Sequence, residues 1–407
     1  MKKAKGTIKC AAEDFIVEEI AQNGTVLELG KVFFPEELGM QESEEGKFTT
    51  FVMQKRNWNT AQALKTIARR FSRGIKSTSF AGTKDRTAVS TQLCSIFGVS
   101  PEELSSAKIK DITINGAWRS DKKVEMGSLY GNRFTVIVRD ASDTELIKNA
   151  ADSLHGLFPN YFGEQRFGSR GNNVLIGIDI LKGDLESATM RFLTDTINER
   201  REDSIAARKR LSEELDFAAA LEYFPSHLKY ERLVIEHLSM MPTDYAGAMR
   251  RLPRSITLML IHSVDAYIFN QELDERIRSG KTTQEAGDIA CKADAYGFPD
   301  IRTVKKTELS DQGYIFPVAS IVGYEQKTND LEEEIMRKLG ITKDMFKVKS
   351  MPELNCRGSY RVLFAPFIGF VFEHGAAGSA KLGFSLPSGS YATVLLDQLM
   401  DRGMHQE

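Results

Sequence analysis

Asp85 stands between Lys84 and Arg86, directly after the Gly82-Thr83 turn, and this carboxylate is the best candidate in the chain for chemistry. Residues 55–86 hold nine Lys or Arg and one acid, Asp85 itself. A polyanion drawn to that stretch would meet a single carboxylate, and flanking cations favour its ionised form. An ionised carboxylate suits a nucleophile or general base and does not suit a general acid. A salt-bridged loop aspartate is the plain structural reading against which this stands. No His or Cys offers itself as an evident partner, which favours a reaction that runs on one carboxylate.

Two further segments carry recognition chemistry. Asn160-Tyr161-Phe162-Gly163-Glu164-Gln165-Arg166-Phe167-Gly168 combines three aromatics, two side-chain amides and Arg166. Those are the parts needed to stack a flat heterocycle and read its edges, although a turn with its aromatics packed into the core would have the same composition. Leu386-Pro387-Ser388-Gly389-Ser390-Tyr391-Ala392-Thr393 reads as a tight turn feeding a helix, with Ser388 or Ser390 expected at the N-cap. Free N–H groups there could hold a phosphate.

Several classes are excluded. Gly82-Thr83-Lys84 is no P-loop, because the Lys is followed by Asp85 rather than Ser or Thr and no Gly stands at the required distance upstream. No G-x-G-x-x-G, H-E-x-x-H or G-x-S-x-G is present. The six histidines are scattered, and none pairs with a Cys or carboxylate at metal-ligand spacing. His262, inside the apolar run 258–268, reads as a satisfied core residue. Cys10, Cys94, Cys291 and Cys356 form no C-x-x-C and no disulfide framework, as in an intracellular chain. No secretory leader is expected, since Lys2-Lys3-Ala4-Lys5-Gly6 runs into polar sequence. The apolar run 362–372 contains Pro366 and Gly369 and is too short for a membrane span. A net charge of −2 hides strong segregation, with acids at 36–45 and 325–334 and basic clusters at 2–9, 119–123, 200–201, 208–210, 250–254 and 302–306. That pattern allows a positive face on a near-neutral protein, although any one cluster reads equally as a solvated helix face.

These residues need a scaffold, and 407 of them allow two or three domains. Alternation and β-branched runs predict strands at 14–20, 48–54, 88–97 and 134–139. Residues 60–71 predict a helix with Leu64, Ile67, Ala68 and Phe71 on one face and Lys65, Arg69 and Arg70 on the other. Ser142-Asp143-Thr144-Glu145 predicts a capping box opening a helix that Gly156 stops. From about 179 to 355 helical periodicity dominates, at 186–193, 204–223, 245–250, 255–277 and 329–339, with little alternating sequence between. Strands return at 361–372 and 380–386, followed by a helix at 391–400. The expected architecture is an α+β domain interrupted by a mostly helical insertion.

With Ile8-Lys9 and Glu13-Asp14-Phe15-Ile16-Val17-Glu18 ahead of them, and Phe269-Asn270-Gln271 in the insertion, the three segments resemble the TruD family of pseudouridine synthases, in the family's order from residue 8 to residue 393. The chain departs from the pattern at Ala12, where many members carry Pro, and matches poorly over 180–355. The resemblance implies a pseudouridine synthase core, a mixed sheet with flanking helices, at 1–179 and 356–407, with a TRUD insertion domain at 180–355. It implies isomerisation of uridine in tRNA, at position 13 in the main branch, by a cytoplasmic enzyme with no cofactor, no metal, and neither DNA nor membrane as partner. Asp85 matches the catalytic aspartate. Asn160 and Phe162 match residues that position it and stack on the target uracil, and Lys9 matches a basic active-site residue. Lys84 and Arg166 are expected to bind substrate beside them. The competing expectations are a tRNA-binding or RNA-chaperone protein that has lost the chemistry, a methyltransferase, for which no Gly-rich cofactor loop is visible, and a helical interaction protein.

Overall fold

The computed structural model describes residues 3–308, 311–376 and 378–402, so Lys2 of the first basic cluster lies outside the described residues. The chain forms two compact units, one of Met1–Asn160, Ala293–Pro299 and Phe364–Glu407, the other of Tyr161–Lys292 and Asp300–Leu363. The chain crosses between them at 160–161, 292–293, 299–300 and 363–364, whereas the sequence change of character is expected near 179–180 and 355–356.

The first unit is α+β. Its main sheet runs in the order Ile368–His374, Ala380–Pro387, Gly131–Val138, Phe15–Ile20, Val89–Phe97, Phe48–Arg56, Ile112–Ser120, with the short strand Thr78–Phe80 also paired to Val89–Phe97. Phe15–Ile20 runs parallel to Val89–Phe97, and the other pairs are antiparallel, which makes the sheet mixed. The alternation of Phe134, Val136 and Val138 places all three in the core, where Phe134 stacks on its cross-strand partner Phe384 at 5.4 Å between centroids. Helix Thr60–Arg70 covers the far end of the sheet. Asn59 caps it by accepting from Gln62 N–H, Ala63, Leu64, Ile67 and Ala68 are buried, and Lys65, Arg69 and Arg70 face solvent. Helix Thr144–Ser153 is capped by Asp143, not by Ser142, whose hydroxyl accepts from Lys5 N–H instead. The unit includes the turn 293–299, where Tyr130 OH donates to Asp294 and Tyr296 OH to Asn23 C=O at 2.7 Å.

The second unit is helical around one apolar core, but it also contains a four-stranded sheet, Pro299–Lys306, Ile289–Ala293, Tyr314–Ile321, Ser359–Val362. That sheet corrects the expectation of little strand here. Residues of Pro299–Lys306 are half-buried or exposed throughout, so no buried face imposed an alternating pattern on them. The stretch 204–223 is two helices, Glu202–Glu214 and Phe217–Tyr223, because Leu215 takes a left-handed conformation and Asp216 caps the second. The long helix Arg254–Arg278 forms the spine of the unit. Helix Asn173–Lys182 packs closely against it at Gly177, where a Cβ would come within 2.3 Å of Leu260 C=O. No helix among the described residues is long and apolar enough to cross a membrane.

Candidate active site

In the first unit, the loop between strands Thr78–Phe80 and Val89–Phe97 carries Lys84 and Asp85 and turns them to opposite sides. Asp85 faces out, its side chain 43 % exposed, and its Oδ2 accepts from Lys9 Nζ at 2.6 Å. Lys84 faces in. Its ammonium donates to Glu19 Oε2 at 2.7 Å, with the two side chains 3 % and 1 % exposed. It is therefore a structural cation under the loop, and the expectation that it meets substrate alongside Asp85 does not follow from its placement. Arg86 is exposed.

The underside of the loop is pinned at Gly82, Lys84 and Asp85. Gln92 Nε2 donates to Gly82 C=O at 2.9 Å, and Lys84 N–H to Thr60 Oγ1 at 2.9 Å, while the same Thr60 hydroxyl donates to Gln92 Oε1. Glu19 is held in turn, its second oxygen accepting from Leu93 N–H at 2.9 Å. Lys55, fully buried, donates to Trp58 C=O at 2.6 Å and to the backbone C=O of Asp85 at 2.8 Å. Burial lowers its ammonium to about 8, against the opposing attraction of Asp85. In the sequence Lys55 is only one member of the basic stretch 55–86, and nothing local places it under the loop. Thr60, Lys84, Glu19, Gln92 and Lys55 each have a partner on this side, as the members of a buried polar network must.

Lys9 is delivered by a separate device. It sits at φ 60, in the left-handed region, in the segment ahead of strand Phe15–Ile20, and its Nζ lies 4.5 Å from the Phe15 ring centroid. Asp14 shapes that segment by accepting from Ala11 N–H at 2.9 Å and taking both a 2.9 Å and a 2.6 Å bond from Arg139. The guanidinium holds the Asp14 carboxyl below the usual carboxylate range. Asp14 and Phe15 of the Glu13-Asp14-Phe15 motif thus brace Lys9, while Glu13 pairs with Arg56. Asn160 closes the first unit, 2 % exposed at the end of strand Leu157–Pro159.

Phe162 and Arg166 belong to the second unit. The side-chain amide of Asn270 clamps the Phe162 backbone, accepting from its N–H at 2.9 Å and donating to its C=O at 3.1 Å. Phe269 meets the Phe162 ring edge-on at 5.5 Å, and the Arg361 and Arg166 guanidinium carbons lie 4.2 Å and 5.2 Å from its centroid. Phe162 as a residue is only 9 % exposed, so its π-face is presented to cations rather than to bulk water. Tyr161 OH donates to Asp274 at 2.6 Å, and burial with that bond holds the phenol well above its ordinary value. Gly168 closes the loop at φ 82, where a Cβ would meet the Asn173 amide at 2.6 Å. Arg361 and the Asn270 clamp were not legible, since their partners lie far along the chain.

A mixed sheet presenting one carboxylate beside an ammonium, in a chain that goes on to an aromatic loop with guanidinium groups over its ring, agrees with the resemblance to pseudouridine synthases drawn from the sequence. The sequence model of one such family, "tRNA pseudouridine synthase D (TruD)", matches residues 1–399. Similar proteins include a "Probable tRNA pseudouridine synthase D" of Methanosarcina mazei, 32 % identical over 97 % of this chain and 93 % of that one. Another, of the same name, from Methanococcoides burtonii is 34 % identical over 88 % and 89 %. A crystal structure of the "Putative tRNA pseudouridine synthase D (TruD)" from Methanosarcina mazei superposes with a TM-score of 0.75 at 31 % identity, covering 98 % of this chain and 94 % of the other. The chain belongs to the TruD family.

Proposed function

We propose that this protein converts uridine to pseudouridine in tRNA, at position 13, with Asp85 as its catalytic residue. The observation that carries the reading is the posture of that side chain: an exposed carboxylate on an ammonium, on a loop whose underside is fixed by buried bonds. Preorganisation of this kind spares the reaction the cost of ordering the group.

The target base must first leave the folded RNA, which costs a few kcal/mol. The cationic face Lys65, Arg69 and Arg70 supplies phosphate contacts in the first unit. Phe162 offers the uracil a stacking face worth roughly 1–3 kcal/mol, with Arg361 or Arg166 moving aside from the ring. Asp85 then acts by one of two routes. As a nucleophile it bonds to C1′ while the C1′–N1 bond breaks and uracil leaves with the electron pair on N1. As a base it takes the proton from C2′ while the C1′–N1 bond breaks, which leaves a C1′=C2′ glycal and uracil with the electron pair on N1. In both, uracil turns and C5 bonds to C1′, which breaks the Asp85–C1′ bond in the first route and is accompanied by return of the proton from Asp85 to C2′ in the second; the C5 proton is then lost and N1 gains one. Substrate and product contain the same atoms, so the net step calls for no co-reactant. Lys9 steadies the carboxylate between turnovers, and Asn160 positions it. The second unit, with the insertion expected at 180–355, contributes recognition of the RNA.

The test is incubation with unmodified tRNA transcripts and no additive, followed by carbodiimide-primer extension. A single stop at uridine 13 is expected. Tight, salt-dependent tRNA binding with no pseudouridine in any transcript would instead make this a binding protein on a synthase scaffold.

A further inference from the structure

One cluster in the second unit takes no part in the chemistry above. His262 and Asp265 lie one turn apart on the long helix Arg254–Arg278, and Cys356 follows the short turn Pro352–Leu354. His262 is not the lone core histidine that its sequence surroundings suggest. Its Nδ1 lies 2.8 Å from Asp265 Oδ2, and Cys356 Sγ lies 3.9 Å from that nitrogen and 3.8 Å from that oxygen. The three donor atoms are mutual neighbours, which is what makes the group able to surround an ion. Asp265 and Cys356 are buried, whereas the His262 side chain is 36 % exposed and gives the cluster a path to solvent. Backbone bonds fix the cysteine, its N–H donating to Phe346 C=O and its C=O accepting from Tyr324 N–H, each at 3.0 Å.

A Cys-His-Asp nucleophilic relay is ruled out by the same geometry. A relay needs the thiol on one ring nitrogen and the carboxylate on the other, so that a proton passes through the ring. Here both approach Nδ1, so the donors converge on one point instead of standing in series. Convergence is the requirement of a cation.

Zinc bonds of about 2.0 Å to N and O and about 2.3 Å to S place tetrahedral donors about 3.3–3.5 Å apart. The observed 2.8, 3.9 and 3.8 Å bracket that value, and shifts of about half an ångström reach it. A soft sulfur beside an imidazole and a carboxylate suits zinc and does not suit the hard ions magnesium and calcium. We propose that His262, Asp265 and Cys356 bind one zinc ion, with the fourth position open to solvent on the His262 side. The ion replaces the proton shared between imidazole and carboxylate, the Cys356 thiol proton passes to solvent as the thiolate binds, and the ion ties the helix that bears Phe269 and Asn270 to the segment 346–358. Its role is to stiffen the support of Phe162, so it is a structural ion, and the uridine chemistry does not pass through it.

The test uses the full chain, stripped with a chelator, dialysed, and titrated calorimetrically with zinc chloride and spectroscopically with cobalt chloride. One zinc per chain is expected, bound tighter than about 1 μM, with cobalt giving a thiolate charge-transfer band. Cys356→Ser should abolish the band and weaken zinc by more than about 100-fold, and Cys10→Ser, at the exposed cysteine, should change neither. Because Cys356 is buried, His262→Gln serves as the second variant, and circular dichroism establishes that each is folded; it too should lose stoichiometric zinc. Absence of stoichiometric binding by the folded parent chain would overturn the proposal, as would a band that survives Cys356→Ser and vanishes in Cys10→Ser.

Discussion

Lys84 and Asp85 are neighbours in the chain, and each makes an ion pair of nearly the same length, 2.7 Å to Glu19 and 2.6 Å from Lys9. The inner pair is almost sealed from water and the outer one is open, with Asp85 43 % exposed. The inner pair has given up hydration that only its own geometry returns, so it cannot be exchanged for another partner. The outer pair loses little when it opens, because water screens it and resolvates both ends. One residue of chain therefore separates a fixed support from an exchangeable reactant. Polar groups of identical type act as scaffold or as chemistry according to which side of the loop they occupy.

Breaking the inner side should have the larger effect on the fold. Lys84→Met leaves the Glu19 carboxylate buried without its cation and should lower unfolding stability by about 3–5 kcal/mol, measurable by urea titration. A loss under about 1 kcal/mol would mean that the loop does not depend on this pair. Lys55 sharpens the same contrast through pH. Its proton is held at about 8 in the folded chain against 10.5 unperturbed, and burial is the main cause. Below about 8 both states carry the proton, and the full cost of burying the charge is present. Between about 8 and 10.5 the unfolded state binds more protons, so stability rises with pH by up to roughly 3 kcal/mol relative to a Lys55→Met variant. A difference between the two proteins that stays flat across that range would show that Lys55 is not desolvated as the fold places it.

Much of this was legible where local sequence decides. The amphipathic helix Thr60–Arg70, its exposed Lys65, Arg69 and Arg70, and the alternating strand that buries Phe134, Val136 and Val138 follow from periodicity alone. Asp85 was singled out by its charge neighbours, although the cation on its carboxylate is Lys9 and not the adjacent Lys84. Which way a loop side chain turns depends on Glu19, Thr60 and Gln92, and nothing local encodes them. The same limit hid the Asn270 clamp on Phe162 and the approach of Cys356 to His262. The helix Ala392–Leu399 begins after Tyr391, with no side-chain cap, so Ser388 and Ser390 do not serve as its N-cap. The strand Pro299–Lys306 escaped notice because no buried face wrote a period of two into it.

The central claim is that the outer carboxylate does the chemistry and the rest of the loop holds it still. Asp85→Asn keeps the side chain's shape and removes its charge, and the inner network bonds only to that residue's backbone. Single-turnover pseudouridine formation should be compared with tRNA affinity for this variant and the parent at one fixed salt concentration. The account predicts a rate reduced by at least about 10³-fold, more than about 4 kcal/mol of barrier, with tRNA affinity within about threefold of the parent. A variant that forms pseudouridine within about tenfold of the parent rate, a barrier change of about 1.4 kcal/mol, would contradict it.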